Sequence, residues 1–182
     1  MTCAGSALPT FRFQDVAYRG HDPQWAWDPA SGQGAASRGG RFNPKGVPAL
    51  YLSLAPETVF KEQGAGLSRR FDPLTVCAYE IDVRDIVDLA TPEARTAADV
   101  AWDELDCPWL LDVAAGRRPA SWALHGRLAA AGAAGILVPS FAVGARPDER
   151  NLVLWTWSAA LPHAVRVIDT AHRLPKNRLS WE

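Results

Sequence analysis

The residue types best suited to chemistry crowd into the stretch 38–62, RGGRFNPKGVPALYLSLAPETVFKE. Arg38, Arg41 and Lys45 bring three cations into one short segment, and Gly39, Gly40, Asn43, Pro44 and Gly46 let its backbone turn tightly. Such a loop suits an anion. The second feature is Glu62. Helical spacing places Glu57 and Lys61 as a pair on the solvent face, whereas Glu62 comes three residues after Val59, on the margin of the apolar face. A half-buried carboxylate there is either a structural acceptor or a working group in a cleft, because burial costs free energy unless a partner or a function offsets it.

The elements that hold these residues follow from the surrounding pattern. The apolar run 49–52 reads as a short buried strand, and Ser53 can cap a helix that has Pro56 in its first turn and stops at Gly64. Upstream, 16–19 reads as a strand ending in Arg19, a position that alone favours a surface arginine over a cleft residue. The segment 21–37, rich in Gly, Pro, Ser and Asp yet holding Trp25 and Trp27, reads as a long loop pinned by aromatics. Downstream, 74–83 alternates as a strand with one dry face, 86–89 reads as another, and Thr91-Pro92-Glu93 opens a helical segment running through Trp102 and Leu105. Ser121 caps a further helix that ends at Gly132, a buried strand at 135–138 delivers Ser140, and strands at 151–157 and 164–169 complete the pattern. Ser140 lies outside a Gly-x-Ser-x-Gly elbow, and His125 has no neighbour that completes a triad.

Composition narrows the class. A chain of 182 residues with 48% hydrophobic content fits one domain, with residues 1–10 loose and 170–182 a polar tail. Nineteen basic residues against 20 acidic ones create no global field for nucleic acid or an anionic membrane. Three scattered cysteines, Cys3, Cys77 and Cys107, lack metal or disulfide spacing and read as reduced thiols, and the acids 99–106 read as a solvated face rather than a metal site. With no secretory pattern and no long apolar run, the expected location is cytoplasmic.

Tyr18-Arg19, then Gly39-Gly40-Arg41-Phe42-Asn43 through Tyr51 to Glu62, then Pro139-Ser140 followed by Asn151-Leu152-Val153-Leu154-Trp155, together resemble the RES domain, a family named for an arginine, a glutamate and a serine. The resemblance spans about 18–157, and Phe42 stands where many relatives carry tryptophan. It implies a single α+β domain similar to the ADP-ribosyltransferase core of bacterial toxins, built from two packed small sheets with a few helices. It also implies the toxin of a toxin–antitoxin pair that takes NAD as substrate, uses no metal, and is silenced by an Xre-type antitoxin to which DNA binding is delegated. On that resemblance Glu62 opposes the charge of an oxocarbenium-like state, and Arg19 and Arg41 hold the pyrophosphate with Lys45 or Arg38 in support. Tyr51 stacks on nicotinamide, and Ser140 bonds the ribose or orients Glu62. Transfer of ADP-ribose to a cellular protein, possible for such a fold, is the leading expectation. NAD hydrolysis or phosphorolysis is the alternative, and a catalytically silent phosphate-ligand or partner-binding module is the second alternative.

Overall fold

The computed structural model describes residues 7–63 and 73–181; the expected stop at Gly64, the connector 64–72 and Cys3 lie outside these residues. Six strands form one sheet: β1 (Phe11–His21), β2 (Leu50–Ser53), β3 (Thr75–Asp88), β4 (Gly135–Pro139), β5 (Arg150–Leu154) and β6 (His163–Val167). Their order is β1-β2-β5-β4-β3-β6, and β1 also pairs with β3, so the first five strands close on themselves as a barrel and β6 hangs on β3.

The closing seam depends on the length of β3. β1 runs antiparallel to it from Phe11 opposite Ile86 to His21 opposite Thr75, while residues 86–88 of β3 also take β4 as a parallel neighbour. The sequence pattern divides this strand in two at 84–85. The backbone remains continuous through a bulge, with Asp85 at φ 60° and the register against β1 slipping between Phe11 and Phe13. The expectation of two small packed sheets is thereby corrected: the β1–β3 seam joins them into one curved wall. An alternating pattern fixes which face of each strand is dry but not which strand pairs with which.

Alternation then sorts the side chains. Phe13, Ala17, Leu50, Leu52, Tyr79, Ile81, Leu152 and Leu154 fill the barrel. Val87, Leu89, Ile136, Val138 and Val153 leave through the outer face and pack under a helical layer. Leu105 of α4 (Trp102–Leu105) and Leu124 and Leu128 of α6 (Ala120–Ala130) supply that layer; the other described α-helices are α1 (Gln33–Arg38), α2 (Pro56–Gln63), α3 (Pro92–Ala97) and α5 (Trp109–Ala114). Each fully buried leucine in these clusters contributes about 1.5–3 kcal/mol of apolar burial. At Gly135 the β4 backbone approaches β5 so closely that an added Cβ would lie 2.3 Å from the Val153 carbonyl oxygen.

Several local expectations change. Thr91 caps α3 as expected, accepting from the Ala94 amide, but Asp99 at φ 54° ends the segment, and a second short helix starts at Trp102. Ser121 is no cap: it lies buried inside α6, where its hydroxyl meets the Cys107 thiol at 3.3 Å. Ser53 belongs to β2, opposite Asn151, rather than capping α2. Cys77 and Cys107 are free and buried. Among the described residues no helix is long and apolar enough to cross a membrane.

Candidate active site

The glycine- and arginine-rich loop is locked from all sides. Gly40 bonds back to the Asn43 carbonyl at 3.0 Å, closing a tight turn. Asn43 is fully buried, and its side-chain amide donates to the carbonyls of Ala35, Pro44 and Val47. Two tryptophans bring indole N–H groups from distant elements: Trp122 of α6 to the Gly40 carbonyl at 2.8 Å, and Trp155, just after β5, to the Phe42 carbonyl at 2.9 Å. The Tyr51 hydroxyl completes the lock, donating to Asn43 Oδ1 at 2.7 Å and accepting from the Phe42 amide at 2.9 Å. Burial pushes that phenol well above its ordinary range, so it stays protonated and keeps donating. Gly40 has to be glycine, since a Cβ there would lie 2.5 Å from the Tyr51 oxygen.

Beside the loop, three elements converge on one carboxylate. Glu62, at the end of α2, accepts through Oε1 from the Ser140 hydroxyl at 2.7 Å and from the Asn151 side-chain amide at 2.5 Å. Its Oε2 has no hydrogen-bond partner among the described residues. Strand register explains the meeting: Tyr51 and Ser53 lie opposite Val153 and Asn151, and Asn151 lies opposite Val138, two residues before Ser140. These residues therefore share the outer face of the barrel, the face on which Arg41 also lies. The Ser140 oxygen also accepts from the Ala142 amide at 3.2 Å, which fixes the hydroxyl as a donor toward Glu62.

Arg41 packs its guanidinium 4.4 Å above the Phe141 ring and donates to the carbonyls of Leu105 and Cys107, both at 3.1 Å. Burial lowers its pKa, against the opposing pull of the Asp106 and, less strongly, the Glu62 carboxylates. Arg38 and Lys45 are exposed. Arg19 is elsewhere. On β1 it alternates with Tyr18, which faces Ser53 on the outer wall, and its guanidinium donates to the carbonyls of Pro29 and Ser31, both at 2.9 Å. There it adjoins Tyr79, and burial lowers its pKa as well. Glu62, Ser140, Tyr51 and Arg41 thus surround one corner, while Arg19 secures the loop that follows β1 and makes no bond to that corner among the described residues.

The expected Glu57–Lys61 surface pair is also corrected. Lys61 instead bonds Glu149, a carboxylate buried in the connection between β4 and β5, while Glu57 is exposed. The desolvated acid is the stronger attractor, and Lys61 faces it because α2 lies against β1 through Val59 and Gly20. Sequence reading therefore gave no site role to Asn151, Lys61, Glu149, Trp122 or Trp155. Asn151 and Trp155 do carry a signal, as the polar first residue and the last residue of the 151–155 segment on which the family resemblance rests.

The RES domain family model matches residues 16–181. The chain belongs to the RES domain family. Curated relatives are the NAD(+) phosphorylase MbcT of Mycobacterium bovis and of two strains of Mycobacterium tuberculosis, 33% identical over 138 residues, covering 69% of this chain and 73% of theirs. Among solved structures, the crystal structure of the M. tuberculosis MbcT-MbcA toxin-antitoxin complex matches with a TM-score of 0.60 and 24% identity over 88% of this chain and 84% of that one. The segments 51–62 and 139–155 that carry the family resemblance supply Glu62, Ser140 and Asn151, which meet by hydrogen bonds.

Proposed function

We propose that this RES domain protein is an NAD-degrading enzyme that splits the bond between nicotinamide and ribose and passes the ADP-ribosyl group to phosphate. The observation that carries this reading is the Glu62 carboxylate, held by Ser140 and Asn151 through one oxygen, with the other unpartnered among the described residues. An oxocarbenium-like centre needs a fixed negative charge beside it, and a ribose hydroxyl needs an acceptor; one carboxylate oxygen can serve both. The electron pair of the breaking bond leaves with neutral nicotinamide, and a phosphate oxygen bonds the anomeric carbon to give ADP-ribose 1-phosphate.

The roles of the remaining residues follow the same proposal. Arg41 and Arg19 are half-buried and carry no carboxylate ion pair among the described residues, so each retains N–H groups for a pyrophosphate. The Tyr51 hydroxyl is occupied by the loop, so its part in binding is the ring face, stacked on nicotinamide. Ser140 acts by aiming Glu62 and needs no activated nucleophile. Phosphate as acceptor is favoured over a protein because the curated relatives are named NAD(+) phosphorylase. The same name ranks phosphorolysis above protein ADP-ribosylation, which sequence reading put first.

The wider role is that of a cytoplasmic toxin paired with an Xre-type antitoxin, supported by the likeness to a chain solved in a toxin–antitoxin complex. The antitoxin covers the mouth beside Arg41 and Tyr51 and competes with NAD. Incubation of the protein with NAD, with and without phosphate, followed by mass analysis, tests the chemistry. Nicotinamide and ADP-ribose 1-phosphate are expected with phosphate; free ADP-ribose under both conditions would make it a hydrolase. Radiolabel from NAD on lysate protein would restore the transferase reading, and no nicotinamide release under any condition would leave a binding module.

A further inference from the structure

The Glu62 corner joins a helix to two strands that α2 does not pair with, so something has to hold the end of α2 in register with them. Lys61 and Glu149 meet where that is needed. Lys61 immediately precedes Glu62, and Glu149 comes two residues before Asn151. The Glu149 carbonyl accepts from the Ser140 amide at 3.0 Å, so the third member of the corner is tied to the same residue through its backbone. The Lys61 ammonium bonds Glu149 Oε1, with side-chain exposures of 29% and 2%, and Arg146 stands 3.6 Å away as a second, mostly solvated cation. Glu149 Oε2 is buried without a hydrogen-bond partner among the described residues, so Lys61 is the main partner that offsets the burial of this carboxylate.

From this arrangement we infer that Lys61 and Glu149 are a positioning pair that sets the Glu62 carboxylate against Ser140 and Asn151, an inference resting on the reading of Glu62 given above. Neither residue has to touch NAD. A carboxylate bonded through one oxygen at 2.7 and 2.5 Å tolerates little movement of the helix that carries it. Displacement by about 1 Å at a reacting centre costs on the order of a hundredfold in rate. Lys61 also has four flexible carbons, so the pair fixes geometry only because Glu149 is itself immobilised by burial and by the Ser140 and Arg146 backbone bonds.

The test uses Lys61→Met and Glu149→Gln, with Lys61→Arg as the conservative replacement and Glu57→Gln as an exposed control on the same helix. For folded Lys61→Met, kcat is expected to fall about a hundredfold with KM for NAD changed by no more than about twofold, Lys61→Arg to recover most of it, and Glu57→Gln to match wild type. If Lys61→Met does not fold at the assay temperature, Glu149→Gln carries the same measurement, since it leaves no buried unpaired charge and Lys61 can reach solvent. A kcat within about threefold of wild type in a folded variant overturns the inference. Crystal structures of the variants give a readout independent of activity: the Glu62–Asn151 and Glu62–Ser140 separations are expected to open beyond hydrogen-bonding range, and retention of both bonds overturns the pair's role. Wild-type protein that leaves NAD intact would refute the enzymatic reading, and the crystallographic arm would still decide whether the pair sets the carboxylate.

Discussion

Arg19 and Arg41 have nearly the same local circumstances and different surroundings. Each is half-buried, has its pKa lowered by that burial, and donates from one guanidinium nitrogen to two backbone carbonyls, Pro29 and Ser31 for Arg19, Leu105 and Cys107 for Arg41. Arg19 looks toward Tyr79, Cys77 and Asp28 at the end of the barrel; Arg41 lies on Phe141 within electrostatic reach of Glu62. Residue type and burial therefore do not say what an arginine does in this fold. The surrounding charges differ: Asp106 and, less strongly, Glu62 act on Arg41, whereas Asp28 acts on Arg19. On the proposed reading Arg41 can therefore influence the charge at Glu62, and Arg19 only a part of a ligand that extends away from it.

The largest test removes the charge that distinguishes the two. Glu62→Gln keeps the shape and its place between Ser140 and Asn151, and is expected to lower the rate of nicotinamide release by about 10²–10³ with an unchanged melting temperature. Full activity in that variant would remove the basis for separating the arginines at all.

Next comes the comparison itself. Arg41→Ala and Arg19→Ala each lose two charge-assisted hydrogen bonds, at a cost of about 1.5–3 kcal/mol of stability readable from urea melts. Their kinetics are expected to differ. Arg41→Ala raises KM for NAD about tenfold and lowers kcat as well, while Arg19→Ala raises KM and leaves kcat nearly unchanged. If both variants show the same split between kcat and KM, the two arginines work as one site and the distinction fails.

A smaller effect is confined to the Arg41 side. Tyr51→Phe deletes the hydroxyl that donates to Asn43 and accepts from Phe42, leaving two buried groups short of a partner for about 1–3 kcal/mol of stability. Because the ring remains, the folded fraction is expected to keep its NAD affinity. A large rise in KM without a fall in melting temperature would mean that the hydroxyl itself contacts substrate.

What the sequence revealed about these two regions was uneven for a physical reason. Glu62, Ser140 and the 38–46 loop were legible because helix margin, strand end and glycine spacing are local patterns, and the family resemblance joined them. Lys61 was paired with Glu57 because helix geometry offers only neighbours on the same helix, while its partner Glu149 is 88 residues away. The barrel closure shares that character: the β1 and β3 patterns were visible, but their pairing across more than 50 intervening residues was not. Arg19 was placed in the strand correctly, yet which face it took depended on the register of β1 against β2 and β3, which alternation within one strand cannot supply.

Each region also holds a histidine, which allows a last and smallest test. His21 stands beside Arg19, its Nε2 3.6 Å from the Cys77 thiol, and burial together with the Arg19 charge lowers its pKa. His125 meets Trp155, the residue that anchors the Phe42 carbonyl, edge to face at 4.7 Å, and burial lowers its pKa with a contribution from Arg118. Above about pH 6.5 both imidazoles are neutral whether the chain is folded or not, so they contribute nothing to the pH dependence. Below it the unfolded chain takes up protons that the folded chain refuses, and stability is lost as pH falls toward the depressed folded values. Paired or hydrogen-bonded carboxylates such as Asp82 and Asp169 have lowered pKa values and act only in a more acidic window. Between pH 7 and 5.5 the melting temperature is expected to drop, with His21→Phe and His125→Phe each removing about 2 °C of that drop. His21→Phe is expected to remove more, because the Arg19 charge beside it is half-buried while Arg118 is exposed and screened by salt. The reverse order would mean that the Arg41 side, with its tryptophan-anchored loop, is the more acid-sensitive of the two.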